Sequence, residues 1–290
     1  MIQKNSRVVA GLCLAASLVA MAGTANAERI YATTGVGFLV SFDSATPSLT
    51  LSGAAISGLD QNESIIGLDF RPSDGRLYGQ GSFNNLYTLD TATGAATLVG
   101  PISGATLTGS AFGFDFNPVV DLARVVSDIG FNARVNPMTL VTTVDTSLAY
   151  VAGDANFGAD PDGSFAAYTN NIAGATSTQL FVIDSDLDVL TVLASANSGQ
   201  MTTRGALGIN VGSRGGFDVS GATGIAYLAA LPVGDSTSKL YRVNLATGAA
   251  TLVDEIGGGL ELRTMTVVPA PGVASAFLIG GLALARKRRR

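Results

Sequence analysis

The chain has no histidine and no tryptophan, and its only cysteine is Cys13. Without histidine there is no Ser-His-Asp or Cys-His machinery, no His-ligated zinc and no imidazole acid–base catalyst. Carboxylate chemistry and all-oxygen coordination of a hard cation stay open. Without tryptophan, a sugar site that stacks on an aromatic face has to use Tyr or Phe. Cys13 follows Leu12, where a lipidated cysteine needs a small residue, so lipidation is excluded. No cysteine remains after residue 13, which rules out disulfides and thiol chemistry in the rest of the chain.

Cations are scarce away from the ends. Of 17 Lys and Arg, two lie in residues 1–27 and five in residues 286–290, while all 22 Asp and Glu lie between them. The middle therefore has ten cations against 22 acids, a net charge of −12. A nucleic-acid binder needs a basic patch, and this composition is the opposite. Anionic membranes and acidic polysaccharides are poor direct partners unless a divalent cation bridges, whereas high negative charge keeps an exported protein soluble.

Both ends read as processing signals. Lys4 and Arg7 precede an apolar run from Val8 to Gly23 and then Ala25-Asn26-Ala27, the layout of a secretory signal peptide. Cleavage by signal peptidase after Ala27 would start the mature chain at Glu28. At the other end Pro269-Ala270-Pro271 precedes a thirteen-residue apolar run, Val273 to Ala285, and the cluster Arg286-Lys287-Arg288-Arg289-Arg290. As a helix that run is roughly 20 Å long, short against a hydrocarbon core of about 30 Å. It suits transient membrane insertion, with the cations held on the cytoplasmic side. This tail resembles the sorting signals of the PEP-CTERM family, which exosortases process in bacteria that make extracellular polysaccharide. The usual acidic residue between the two prolines is replaced here by Ala270. An uncut C-terminal anchor is the alternative. The resemblance implies a sorting enzyme as partner, and a place on the bacterial cell surface or in its extracellular matrix after export across the inner membrane.

The body is rich in short Val, Thr, Leu and Phe runs and in glycine (36 residues, against 9 prolines), and shows no long helical periodicity. That is an all-β pattern. Leu86 to Val99 is nearly repeated by Leu240 to Val253. Each copy reads as a hairpin, with Asp90 or Asn244 bonding the turn backbone and Gly94 or Gly248 in its left-handed position. Weaker copies place the same turn marker at Asp43, Asn136 and Asp184, for spacings of 47, 46, 48 and 60 residues. A period near 45 is that of a four-stranded propeller blade. Inner and second strands precede three hairpins, at Gly67-Leu-Asp-Phe70, Gly113-Phe-Asp-Phe116 and Gly216-Phe-Asp-Val219.

The third blade is the least regular, with an inner strand expected near Leu148 to Val151, a second strand at Ser164 to Thr169, and residues 195–215 as a connection. In the fifth, three N-terminal strands join one C-terminal strand, Leu262 to Val268. The reading is a five-bladed β-propeller over residues 28–268, between a leader (1–27) and a sorting segment (269–290). A β-sandwich or β-solenoid is the alternative. The body also resembles a family of exported bacterial proteins known only as domain of unknown function 4394, through Gly113 to Pro118, Arg124 to Asp128, Asn132 to Pro137 and Ala152 to Asn156. The resemblance implies secretion and a repeat β fold, and carries no activity.

Asp69, Asp115 and Asp218 recur at one place in three inner strands, which line a propeller's channel. Three converging carboxylates could bind Ca²⁺ or supply a general acid and base, but recurrence suits a scaffold role in each blade. Asp154, Asp160 and Asp162, with Asn156, crowd one Gly-containing loop and form a second Ca²⁺ candidate, although not with EF-hand spacing. Asp184, Asp186 and Asp188 read as a solvated turn. Arg124 and Arg134 could clamp an anionic group or pair with nearby aspartates. Gly257 to Gly259 is no phosphate loop, since no Walker lysine follows and a strand, not a helix, comes next. The resulting expectation is an exported, surface- or matrix-associated, non-enzymatic binding or structural protein. Its partner would be extracellular polysaccharide or another surface protein. The alternative is a secreted carboxylate-dependent hydrolase or lyase, with Ca²⁺, acting on extracellular glycan.

Overall fold

In all five expected hairpins the marker side chain closes the turn. Asp90 Oδ1 accepts the backbone N–H groups of Ala92 and Thr93, and Asn136 and Asn244 repeat this two and three residues ahead. Asp184 does the same, and Asp43 accepts from Ala45. Gly94 and Gly248 follow at φ of 73° and 81°, where a side chain would be strained.

The computed structural model describes residues 27–269. In chain order, β1 (Arg29–Thr34), β2 (Phe38–Asp43) and β3 (Thr46–Ala55) begin the fifth blade. The first blade is β4 (Ile65–Phe70), β5 (Leu77–Gly81), β6 (Asn85–Leu89) and β7 (Ala96–Pro101). The second is β8 (Phe112–Asn117), β9 (Leu122–Ser127), β10 (Asn132–Val135) and β11 (Thr142–Val144). The third holds β12 (Ala149–Tyr150), β13 (Phe165–Tyr168), β14 (Leu180–Asp184), β15 (Val189–Leu193) and β16 (Gln200–Ala206). The fourth is β17 (Val211–Val219), β18 (Ala226–Pro232), β19 (Lys239–Val243) and β20 (Ala250–Glu255). Last, β21 (Leu262–Val267) returns to the fifth blade.

The expected five-bladed propeller is therefore the fold. Strand β21 pairs antiparallel with β1, with Ile30 opposite Val267 and Ala32 opposite Met265, so the two ends of the domain complete one sheet. Closing the ring covers edges that would otherwise be open to pairing with other chains. Five apolar clusters fill the wedges between neighbouring blades. Because both faces of each blade are packed, the inner strands are buried almost throughout, whereas outer strands such as β7 and β20 are largely exposed. Burying one Leu or Phe contributes about 1.5 to 3 kcal/mol, so each wedge carries a share of the stability.

The third blade differs from the sequence expectation. Its order is β12-β16-β15-β14-β13, so the inner strand is β13, and Ala149–Tyr150 lies at the outer edge, parallel to β16. The hairpin of β14 and β15 supplies the second and third strands, and β16 occupies what had been read as a connection. Among the described residues no helix is long and apolar enough to cross a membrane. Ala27 and Pro269 are at the margins of the described residues, while Ala25, Pro271, the apolar run and the terminal cations lie outside them.

Candidate functional site

The motif Gly-x-Asp in the inner strands brings three carboxylates to the propeller axis. Glycine comes first because the next blade's inner strand leaves no room for a side chain. A Cβ on Gly67 would sit 2.5 Å from Phe114 Cβ, one on Gly113 2.5 Å from the Ala166 nitrogen, and one on Gly216 2.2 Å from the Met265 nitrogen. The aspartate two residues on then reaches across the same gap. Asp69 Oδ2 accepts the Phe116 N–H at 2.8 Å, and Asp218 Oδ2 accepts the Val267 N–H at 2.6 Å. Asp115 is turned in the same way towards the Tyr168 N–H. The fourth and fifth places in this ring are held by Ala167 and Thr266, each one residue before its strand's acceptor-seeking N–H.

The three side chains are 1%, 1% and 2% exposed, and one oxygen from each lies within 4.8 Å of the others. Burial raises all three pKa values. The neighbouring carboxylates raise Asp69 and Asp115 further, while Asp218, relieved by the Val267 N–H and the Thr266 hydroxyl, is pushed up to about 6. Thr266 Oγ1 lies 2.9 Å from Asp69 Oδ1 and 3.0 Å from Asp218 Oδ2. A hydroxyl has one proton to donate. Two full hydrogen bonds here need one of the two carboxyls to be protonated and to donate to Oγ1; otherwise the single proton is shared between them. Among the described residues the Oδ1 atoms of Asp115 and Asp218 have no hydrogen-bond partner.

Such a hub needs either protons or a cation, because uncompensated buried charge is costly. Calcium–oxygen bonds are about 2.3 to 2.6 Å, so one ion could touch all three carboxylates across the 4.8 Å span. Hydrolytic chemistry fits less well. A general acid has to reach the bond it protonates, and these groups are sealed and tied to backbone.

The other candidate residues are placed apart from the hub. Among the described residues the only group of three acids with ligand-like spacing is the hub itself. Asp154 accepts from the N–H groups of Asn156 and Thr203 and from the Thr203 hydroxyl. Burial works upward on it, but these donors win and hold its pKa below the usual carboxylate value. Its loop is thereby pinned to β16. Asp160 is exposed, and Asp162 is buried beside Ser164, with burial raising its pKa. Asp184 does not belong to a solvated turn, since it is fully buried and accepts from Tyr150 Oη at 2.7 Å. Asp188 Oδ1 accepts the Val211 N–H at 2.8 Å. Arg124 and Arg134 face each other across β9 and β10 and both pair with Asp145.

Sequence reading missed Glu28. It is buried, and its carboxylate accepts from the hydroxyls of Ser220, Thr223 and Tyr227, tying the N-terminal strand to the fourth blade. No motif marks it. Glu63, which holds Phe83 N, Asn85 and Tyr87, was missed for the same reason.

The sequence pattern of one family matches residues 38–266. The chain belongs to domain of unknown function 4394. The hub of this 4394-family chain lies wholly within the matched span. No curated protein matches it. Among solved structures it is similar to a structural-genomics protein of unknown function from Bacteroides thetaiotaomicron VPI-5482, with 13% identity and a TM-score of 0.49 over 83% of this chain and 66% of that one. A second is Kuenenia stuttgartiensis hydrazine synthase, at 10% identity and a TM-score of 0.41 over 69% of this chain and 52% of that one. The 4394-family chain thus spans less than two thirds of the length of either structure. At these values neither likeness carries a function.

Proposed function

We propose that the protein is an exported, non-enzymatic binding propeller, sorted to the cell surface or matrix through its C-terminal segment and presenting a rigid ring to another matrix component. One observation carries the non-enzymatic part. The carboxylates that recur in the inner strands are sealed and committed to joining blades, so they serve as scaffold and not as a reaction centre. The two processing signals support export, and the net charge of −12 over residues 28–285 suits life outside the cell.

The hydrolase or lyase alternative requires substrate to reach the hub, and nothing at the hub favours that. The ring closes within residues 28–268, so this domain can be purified and assayed alone. It should leave a panel of glycans and lactones unchanged. Turnover that disappears in Asp115→Asn while the fold survives would sink the non-enzymatic reading. In the native host the protein should be recovered from the surface or matrix fraction, and removal of residues 269–290 should release it. Retention in the cytoplasm would defeat the export reading.

A further inference from the structure

A cleft of about 310 Å³ opens where the second and third blades meet. Its polar lining is Asn117, Arg124, Arg134, Tyr168, Thr178, Ser195 and Asn197. Two features of this lining point to one kind of ligand.

The first is charge. Arg124 Nη1 is 2.6 Å from Asp145 Oδ2, and Arg134 donates from Nε and Nη2 to the same carboxylate at 2.8 Å each. No second carboxylate pairs with either arginine among the described residues. Two guanidinium groups therefore share one anion, which leaves one positive charge in a domain whose net charge is −12. Arg124 and Asp145 are 2% and 6% exposed, whereas Arg134 is 27% exposed and is the cation a solute can reach.

The second is hydrogen bonding. The amide and phenol acceptors of the lining are already occupied. Asn117 Oδ1 holds the N–H groups of Val119 and Val120, Asn197 Oδ1 holds Arg124 Nη2, and Tyr168 Oη holds Arg124 Nε. These contacts also fix which way the two amides point, so their NH₂ groups face away from the donors that hold them. Apart from Arg124 and the Thr178 hydroxyl, which donates to the Thr169 carbonyl, the donors are not occupied. Among the described residues, Arg134 Nη1, the Tyr168 O–H, the Ser195 hydroxyl and the NH₂ groups of Asn117 and Asn197 donate to no protein acceptor. Between these groups Leu122, Leu180 and Leu193 supply an apolar wall.

We propose that this cleft binds a small carboxylate of sugar-acid type, with its carboxylate on Arg134, its ring oxygens on the free donors and its C–H face on the leucines. A volume of about 310 Å³ is at the small end of ligand pockets, which suits one terminal uronate unit and not a chain passing through. Asp145 holds the Nε and Nη2 edge of Arg134 and so fixes the guanidinium, leaving Nη1 as a charged donor for the ligand carboxylate. This inference rests on the reading of the protein as a binding propeller and names the ligand class of one site on it.

The test is titration calorimetry of residues 28–268 with glucuronate, and with glucose as the neutral counterpart. Glucuronate should bind, weakening as salt rises, and glucose should bind at least tenfold less well. Arg134→Gln, at a partly exposed position, should lower glucuronate affinity at least tenfold with the melting temperature nearly unchanged. Arg134→Lys keeps the charge, loses the two-point hold on Asp145 that fixes the free donor, and should fall between. No heat with glucuronate at tens of millimolar, equal binding of glucose, or full affinity in Arg134→Gln would each overturn the proposal. The two readings fail separately. Absence of glucuronate binding in a domain that still associates with isolated matrix removes the cleft alone. Conversely, binding followed by consumption of glucuronate keeps the site and removes the non-enzymatic reading.

Discussion

The Asp218 carboxylate accepts the Val267 backbone N–H at 2.6 Å and so fastens the fourth blade to β21, the strand that closes the ring, 49 positions later in the chain. Asp69 makes the same bond to Phe116 two junctions further on, between the first and second blades. An inner strand has no sheet neighbour on its channel side, and its outward N–H would otherwise have to find water in a narrow channel. The aspartates satisfy these donors, and the preceding glycines let the strands approach closely enough for the bonds to form.

Protonation of the hub makes stability depend on pH in an unusual direction. A carboxyl whose folded pKa is raised binds protons in the fold that the unfolded chain has already released. Its contribution is therefore present below the unfolded value of 3.8 and is lost as pH rises through the folded pKa, about 6 for Asp218. Asp90, Asp121 and Asp154 have lowered pKa values and act the other way below pH 4. In excess chelator the domain should be most stable near pH 4 to 5 and lose on the order of 2 to 3 kcal/mol by pH 8. A melting temperature that climbs from pH 5 to pH 8 in chelator would contradict a protonated hub.

A divalent cation at the hub would reverse that slope, because ligands bind it deprotonated. At pH 8, Ca²⁺ at a hundred times its dissociation constant should stabilise by about 2.7 kcal/mol. The response should vanish in Asp115→Asn, which by itself should be more stable than the parent at pH 8 in chelator. Identical melting curves with Ca²⁺ and with chelator would leave protons as the only compensation for the hub.

Gly216→Ala should be severely destabilising, by about 3 kcal/mol or more, since its Cβ would meet the Met265 backbone at 2.2 Å. Gly212→Ala in the same strand, where the nearest atom is 3.4 Å away, is the control and should change stability by less than about 1 kcal/mol. Urea denaturation of both variants measures the difference.

Glu28→Ala should cost about 2 kcal/mol or more, because it strips the common acceptor from Ser220, Thr223 and Tyr227 in a buried setting. Removing Glu261, which pairs at the surface with Arg214, should cost less than about 1 kcal/mol. Equal effects in the two variants would show that Glu28 is not a closing pin.

The two near-identical hairpins, Leu86 to Val99 and Leu240 to Val253, made the blade period legible, because a repeated turn needs the same cap and the same glycine wherever it occurs. The incomplete strand sets at the ends made ring closure legible as well. The third blade was misread for a physical reason that the sequence does contain. Strand β15, Val-Leu-Thr-Val-Leu, is buried at every position, the pattern of an interior strand and not of an outer one. Strand β16, Gln-Met-Thr-Thr-Arg-Gly-Ala, has the mixed exposure of a strand near an edge. Its Gly and Thr content made it resemble a connection.

Residue order along this chain determined what depends on near neighbours: alternation within strands, capped turns, a period near 45 residues and the recurrence of Gly-x-Asp. Tertiary structure alone decided what those aspartates do. The atoms that a Cβ at Gly67, Gly113 or Gly216 would strike, and the N–H groups that Asp69 and Asp218 hold, all belong to another blade. The charge balance at Arg124 and Arg134 is also a tertiary matter, since it depends on Asp145, directly after β11, reaching both within the second blade. A linear pattern records which groups recur, but the distance between groups some 50 residues apart is set only when the ring closes.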